Sequence, residues 1–153
     1  MSVKNVINEL VQNNNNLFKS FLPASNYHFK FQDIKDFKKF QTVIIIGMGG
    51  SILGAKAIYS FLKYKIKKEF IFIDNLDEGF LRKIKKEKNL SKSLFLIVSK
   101  SGNTNETIIN LSYFKSFLKK SNTIVVAENK NNFLSSFARN NGFTFVKHNP
   151  FIG

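Results

Sequence analysis

Between Ser99 and Thr104 the chain reads SKSGNT, which brings the hydroxyls of Ser99, Ser101 and Thr104 and the ammonium of Lys100 into one short run. Donors at this density suit an anion, because a hydrogen bond to a charged group contributes roughly 1.5–3 kcal/mol. Gly102 permits a tight turn in which successive backbone N–H groups converge on one point. Asn103 and Glu106 have the spacing of N-cap and N3, a capping box that would start a helix here and aim its positive end at the turn. Ahead of the turn, Leu94 to Val98 form an apolar run too short for a helix and suited to a strand buried on both faces. Strand, donor-rich turn and helix N-terminus together predict a phosphate site. The competing reading is that the hydroxyls only cap the helix. Asn103 alone would do that, which leaves Lys100 and two hydroxyls unexplained.

A second loaded turn runs from Gly47 to Ser51, GMGGS, after the apolar run Val43 to Ile46. Gly49 and Gly50 would let backbone approach a ligand closely, and Ser51 adds a hydroxyl at a helix start. Gly47 and Gly49 also have the G-x-G spacing of a dinucleotide fingerprint, with Asp74 where a ribose-binding acid would sit. The third small residue of that fingerprint is absent, since Ile52 occupies its place, and Asp74 also suits a turn cap. Glycosyl-phosphate binding accounts for more of these residues than dinucleotide binding does.

Elements that alternate along the chain must position the two turns. Strands are predicted at Val43 to Ile46, Phe70 to Ile73, Leu94 to Val98, Thr123 to Ala127 and Phe143 to Val146. Between them lie helical segments: Ile52 to Leu62, one capped by Asp77 with Leu76 and Leu81 as a hydrophobic staple, Asn105 to about Leu118, and Phe133 to Ala138. Ile108, Leu111, Phe114 and Leu118 are placed on the inward face of the third. Strands alternating with helices predict an α/β protein, a three-layer α-β-α sandwich around a five-stranded parallel sheet with right-handed crossovers. In such sheets ligands gather at the carboxyl ends of the strands, where strand order reverses.

Residues 1–41 read as a less regular helical leader. Val3, Val6, Ile7, Leu10 and Val11 fall on one helical face, and the Asn13 to Asn16 run ends that helix. Leu17 to Pro23 is apolar, and Tyr27, Phe29 and Phe31 alternate in an extended piece where His28 faces solvent. Ile34, Phe37 and Phe40 recur at every third residue, which predicts a short amphipathic helix leading into the sheet.

Composition bounds the function classes. A chain of 153 residues with 43% hydrophobic content supports one real core. The net charge of +14 invites a nucleic-acid reading. The lysines, however, are scattered through KYKIKK, RKIKKEK and FLKK among Phe and Asn, so they read as a solvated basic surface that draws in small anions, with no nucleic-acid partner. No apolar run approaches the roughly 20 residues of a membrane span, so no membrane partner is predicted. The absence of cysteine rules out a disulfide framework and fits a cytoplasmic protein.

The two turns also carry a family resemblance. GMGGSILG, from Gly47 to Gly54, resembles G-[IM]-G-G-S-x-L-G, and SKSGNTNET, from Ser99 to Thr107, resembles S-K-[ST]-x-x-T-x-E-T, two motifs of the glucose-6-phosphate isomerase family. That family is built from sugar isomerase (SIS) domains of flavodoxin-like architecture, and the resemblance covers Thr42 to Gly153. The central Gly102 and Asn103 are spelled as in SIS domains more generally. The resemblance implies that Gly50 and Ser51 line the sugar site, while Ser99, Ser101 and Thr104 hold the phosphate together with the backbone of Lys100. It implies glucose 6-phosphate and fructose 6-phosphate as ligands, interconverted through a cis-enediol in glycolysis and gluconeogenesis without metal or other cofactor, by an enzyme that is a homodimer at full length.

In the family, the arginine that steadies the enediolate follows a G-G-R motif close behind a segment like NPFIG, and the catalytic glutamate and histidine come later still. Glu106, Glu128 and His148 are read as structural, so no catalytic residue is predicted in this chain. Residues 42–153 are accordingly expected to be a phosphosugar-binding SIS domain, the N-terminal portion of an isomerase before its second SIS domain, and inactive alone. The alternative is a single-domain SIS protein that binds or senses a phosphosugar without catalysis.

Overall fold

The computed structural model describes residues 30–150 together with Asn5, Asn8 and Glu9. Asn5, Asn8 and Glu9 are helical and exposed. The apolar positions expected around them, and the readings from Leu17 to Phe29 including His28, lie outside the described residues. Phe31, expected to be extended, instead opens a 3-10 helix, Phe31–Lys39. A 3-10 helix has three residues per turn, which is the spacing of Ile34, Phe37 and Phe40. Phe37 and Phe40 are buried against the sheet and Ile34 is half-buried.

Five strands follow: β1 (Thr42–Ile46), β2 (Glu69–Ile73), β3 (Ser93–Val98), β4 (Thr123–Ala127) and β5 (Thr144–Lys147). They alternate with α1 (Gly50–Leu62), α2 (Glu78–Glu87), α3 (Asn105–Phe114) and α4 (Phe133–Asn141). All strand pairs are parallel, in the order β2-β1-β3-β4-β5. The predicted three-layer α/β architecture is the observed one.

Each sheet face has its own core, as the period-2 alternation of side chains requires. Ile44, Ile46, Phe95, Ile97 and Val125 point to one side, where Leu81 and Ile84 of α2, Leu111 and Phe114 of α3, and Leu134 and Ala138 of α4 meet them. Val43, Ile45, Leu94 and Ile124 point to the other, against Ile52 of α1 and the 3-10 helix. Helix α3 is shorter than expected: it gives way to a 3-10 turn at Lys115–Phe117, with Leu118 as the cap residue. Asp77 caps α2 as predicted. Leu81 enters the core, but Leu76 stays 53% exposed, so the expected staple is not sealed.

Candidate functional site

Strand order reverses between β1 and β3. The connection leaving β1 returns to its β2 side, while β3 pairs on the opposite edge of β1. Ile46 is in register with Ile97, so the turns that follow the two strands leave the sheet side by side. At the seam a β-carbon on Gly47 would stand 2.9 Å from the carbonyl oxygen of Val98, so only glycine fits this approach without a shift. Gly50 and Ser51 from the first turn, and Ser99, Lys100, Ser101 and Thr104 from the second, are thereby brought to one edge of the sheet, the crevice where α/β proteins bind ligands.

The second turn is tied internally. Ser99 is buried; its hydroxyl accepts from the Gly102 N–H at 3.2 Å and bonds the Thr104 hydroxyl at 2.9 Å. Ser101 is exposed, and its Oγ accepts from the Asn103 N–H at 3.2 Å. The Lys100 carbonyl accepts from the Glu128 N–H at 3.0 Å, which joins the turn to the end of β4. Lys100 and Thr104 are half-buried.

Thr104, not Asn103, is the N-cap of α3, and no side chain caps that helix. This corrects the expected capping box of Asn103 and Glu106. Gly102 takes φ +69°, which turns the chain so that the Asn103 carboxamide reaches another helix: its Oδ1 accepts from the Phe133 N–H at 2.8 Å. Glu106 is left exposed. The Gly102 carbonyl accepts from the Leu134 N–H at 3.0 Å, and Asn132 Oδ1 accepts from the Ser135 N–H at 2.8 Å. The first turn of α4 therefore holds the Ser99–Thr104 turn from behind.

Capping divides the four helices into two kinds. α2 is capped by Asp77, whose Oδ1 accepts from the Phe80 N–H at 2.9 Å, and α4 by Asn132. α1, with Gly49 at its N-cap, and α3 have no side-chain cap. The first N–H groups of a helix have no partner within it, and the helix dipole makes that end positive. Among α1 to α4, the two N-termini without side-chain caps are the two that meet at the β1/β3 switch point.

Asn132 is a position beside the candidate site that sequence reasoning missed. A β-carbon on Gly102 would lie 2.1 Å from Asn132 Oδ1, so the asparagine side chain packs directly under the turn. Its sequence signal is an asparagine just before Phe133 and Leu134, three residues ahead of Ser135. Asn110 was also missed. It is buried on α3, and its Nδ2 donates to the Asn75 carbonyl at 2.9 Å, while Asn110 Oδ1 and Thr107 Oγ1 lack a partner among the described residues.

Asp74, weighed as a ribose-binding acid, instead pairs with Lys56 of α1 at 2.5 Å. Ile52, at the third fingerprint position, is fully buried. Glu128 bonds Lys130 at 2.6 Å. That hydrogen bond holds the Glu128 carboxyl below its ordinary value, with smaller contributions from the charges of Lys130, Lys100 and His148, against a desolvation effect in the opposite direction. The His148 Nδ1 lies 2.8 Å from the Asn149 carbonyl.

A solved sugar isomerase domain, that of an RpiR transcription factor from Sphaerobacter thermophilus, superposes with a TM-score of 0.55 over 96% of this chain and 75% of its own. At 12% identity that likeness concerns the fold alone, and it places the chain among proteins with the sugar isomerase fold. The phosphoglucose isomerase family model matches residues 4–140, and the chain belongs to that family. Over 128 residues it is 40% identical to the glucose-6-phosphate isomerase of Borrelia garinii subsp. bavariensis, covering 76% of this chain and 24% of that relative. The crystal structure of a glucose-6-phosphate isomerase from Chlamydia trachomatis superposes with a TM-score of 0.66 at 26% identity, over 80% of this chain and 25% of that one. The chain thus spans about a quarter of the length of these relatives.

Proposed function

We propose that this chain is the phosphosugar-binding part of a glucose-6-phosphate isomerase, acting on glucose 6-phosphate and fructose 6-phosphate. The observation that carries the reading is the meeting, at the β1/β3 switch point, of two helix N-termini without side-chain caps and two donor-rich turns. The phosphate is held by the hydroxyls of Ser101 and Thr104, the backbone of Lys100 and the first N–H groups of α3, with the Ser99 hydroxyl keeping Thr104 in place. Gly50 and Ser51 approach the sugar from the α1 side. Glu106, Glu128 and His148 serve structure, and proton transfer between the sugar carbons needs groups from elsewhere in an isomerase subunit. The working protein is a cytoplasmic homodimer.

Titration with 6-phosphogluconate and fructose 6-phosphate, followed by calorimetry and assayed for isomerisation in the same samples, tests this. Binding without turnover is the expected result. Turnover would show that a catalytic base lies within these residues, and absence of binding would remove the phosphate assignment for the isolated chain.

A further inference from the structure

Helix α1 turns an apolar face to solvent. Leu53, Gly54, Ala57, Ile58 and Phe61 share the side away from buried Ile52, and Leu53 is 59%, Ile58 63% and Phe61 78% exposed. No charge interrupts this face. Lys56 is the charged residue of α1, and it is tied to Asp74 on the flank. A helix at a protein surface carries polar residues on its outer side, whereas one that is apolar all round is buried.

The layer to which α1 belongs is also thin. Among the described residues that side of the sheet is met by α1 and the 3-10 helix, against three α-helices on the other side. Leu96, Val98, Val126 and Val146 on that side are half-buried. Parallel sheets are ordinarily buried on both faces.

We infer that the outer face of α1 is an interface within the isomerase subunit, docked against the three quarters of the family's chain that this quarter does not match. The length of the relatives argues for that occupant, because the matched region is only 24% of the Borrelia garinii protein. Charge argues against a second copy of this chain, since each copy carries +14. Exposed Lys63, Lys65 and Lys67, just beyond α1, call for carboxylates at the rim of the docking surface. Because α1 begins at the Gly49–Ser51 turn, its docking closes the subunit beside the sugar site. The inference rests on the family reading and is independent of whether the isolated chain binds a sugar.

The test places this chain, in place of the matching quarter, in the Borrelia garinii isomerase and compares that chimera with the 153-residue chain alone. Ile58→Glu with Phe61→Glu should lower the melting temperature of the chimera by about 5 °C or more and change that of the chain alone by about 1 °C at most. Phe61→Ala should show the same contrast at smaller size, and amide exchange along α1 should be at least about tenfold slower in the chimera. Equal shifts in both proteins, or none in either, would overturn the proposal. So would a chimera that fails to fold, or a chain that sediments alone as a dimer and becomes monomeric on substitution. Phosphosugar titration of the same samples separates the two readings: lost sugar binding with the α1 contrast intact would sink the phosphate site alone.

Discussion

The Ser99 hydroxyl oxygen lies 2.9 Å from the Thr104 hydroxyl oxygen, and this bond holds the N-cap residue of α3 to the end of β3. An N-cap threonine ordinarily turns its hydroxyl to a backbone N–H of its own helix. Here it is held by a buried serine, and the N-terminus of α3 has no side-chain cap. The same arrangement gives the three hydroxyl residues of the turn different surroundings: Ser99 is buried and shapes the turn, while Ser101 is exposed and Thr104 half-exposed.

Ser101→Ala with Thr104→Ala should therefore weaken fructose 6-phosphate binding by about 100-fold, taking each lost hydrogen bond as about 1.4 kcal/mol. Thermal stability should fall by only about 1–2 kcal/mol, the size of the lost Ser99–Thr104 and Asn103–Ser101 hydrogen bonds, since neither hydroxyl caps a helix. Lys100→Met should weaken binding less than the double substitution, because the proposed phosphate contact of Lys100 is made by its backbone. Calorimetry reads both, and an unchanged affinity in the double variant would sink the phosphate assignment.

Gly102→Ala should destabilise the fold by about 2 kcal/mol or more. Two effects combine: φ +69° strains any L side chain, and the new methyl runs into Asn132. Adding Asn132→Ala should recover only the collision part while removing the α4 cap. Urea denaturation of the single and double variants measures the coupling, and full additivity would mean the two residues are not in contact.

Asn103→Ala should cost about 1 kcal/mol, because the Phe133 N–H loses its acceptor at the start of α4. Glu106→Ala, on the exposed side of α3, should stay within about 0.5 kcal/mol. The opposite ranking in denaturation experiments would restore the capping box of Asn103 and Glu106.

The Lys130 partner of Glu128 gives stability a dependence on pH. A carboxyl held below its ordinary value in the folded state binds fewer protons there than when unfolded. Its contribution is complete above the ordinary carboxylate range and is lost as pH falls through the lowered value. Lys130→Gln should thus reduce stability near about pH 7 and cost less near about pH 3, where the unfolded-state carboxyl is already largely protonated. A deficit of equal size at both pH values would place the effect of Lys130 elsewhere.

Strand and helix positions were legible in the chain itself, because side-chain patterning and local steric preference act over a few residues. Thr123 to Ala127 form β4 as predicted, Asp77 caps α2, and the other predicted strands differ from the observed ones by one residue at their ends. The donor-rich turns were legible too, since their glycines and hydroxyls are contiguous. Tertiary structure alone decided how those turns are used. The contact of Asn103 with Phe133 spans 30 residues, and the pairing of Ile46 with Ile97 sets Gly47 beside Val98 from segments far apart in the chain. Local spacing offered Asn103 a partner in its own helix, but the positive φ of Gly102 and the packing of α4 gave it another. A capping pattern states which bonds are available, and the position of distant backbone determines which of them forms.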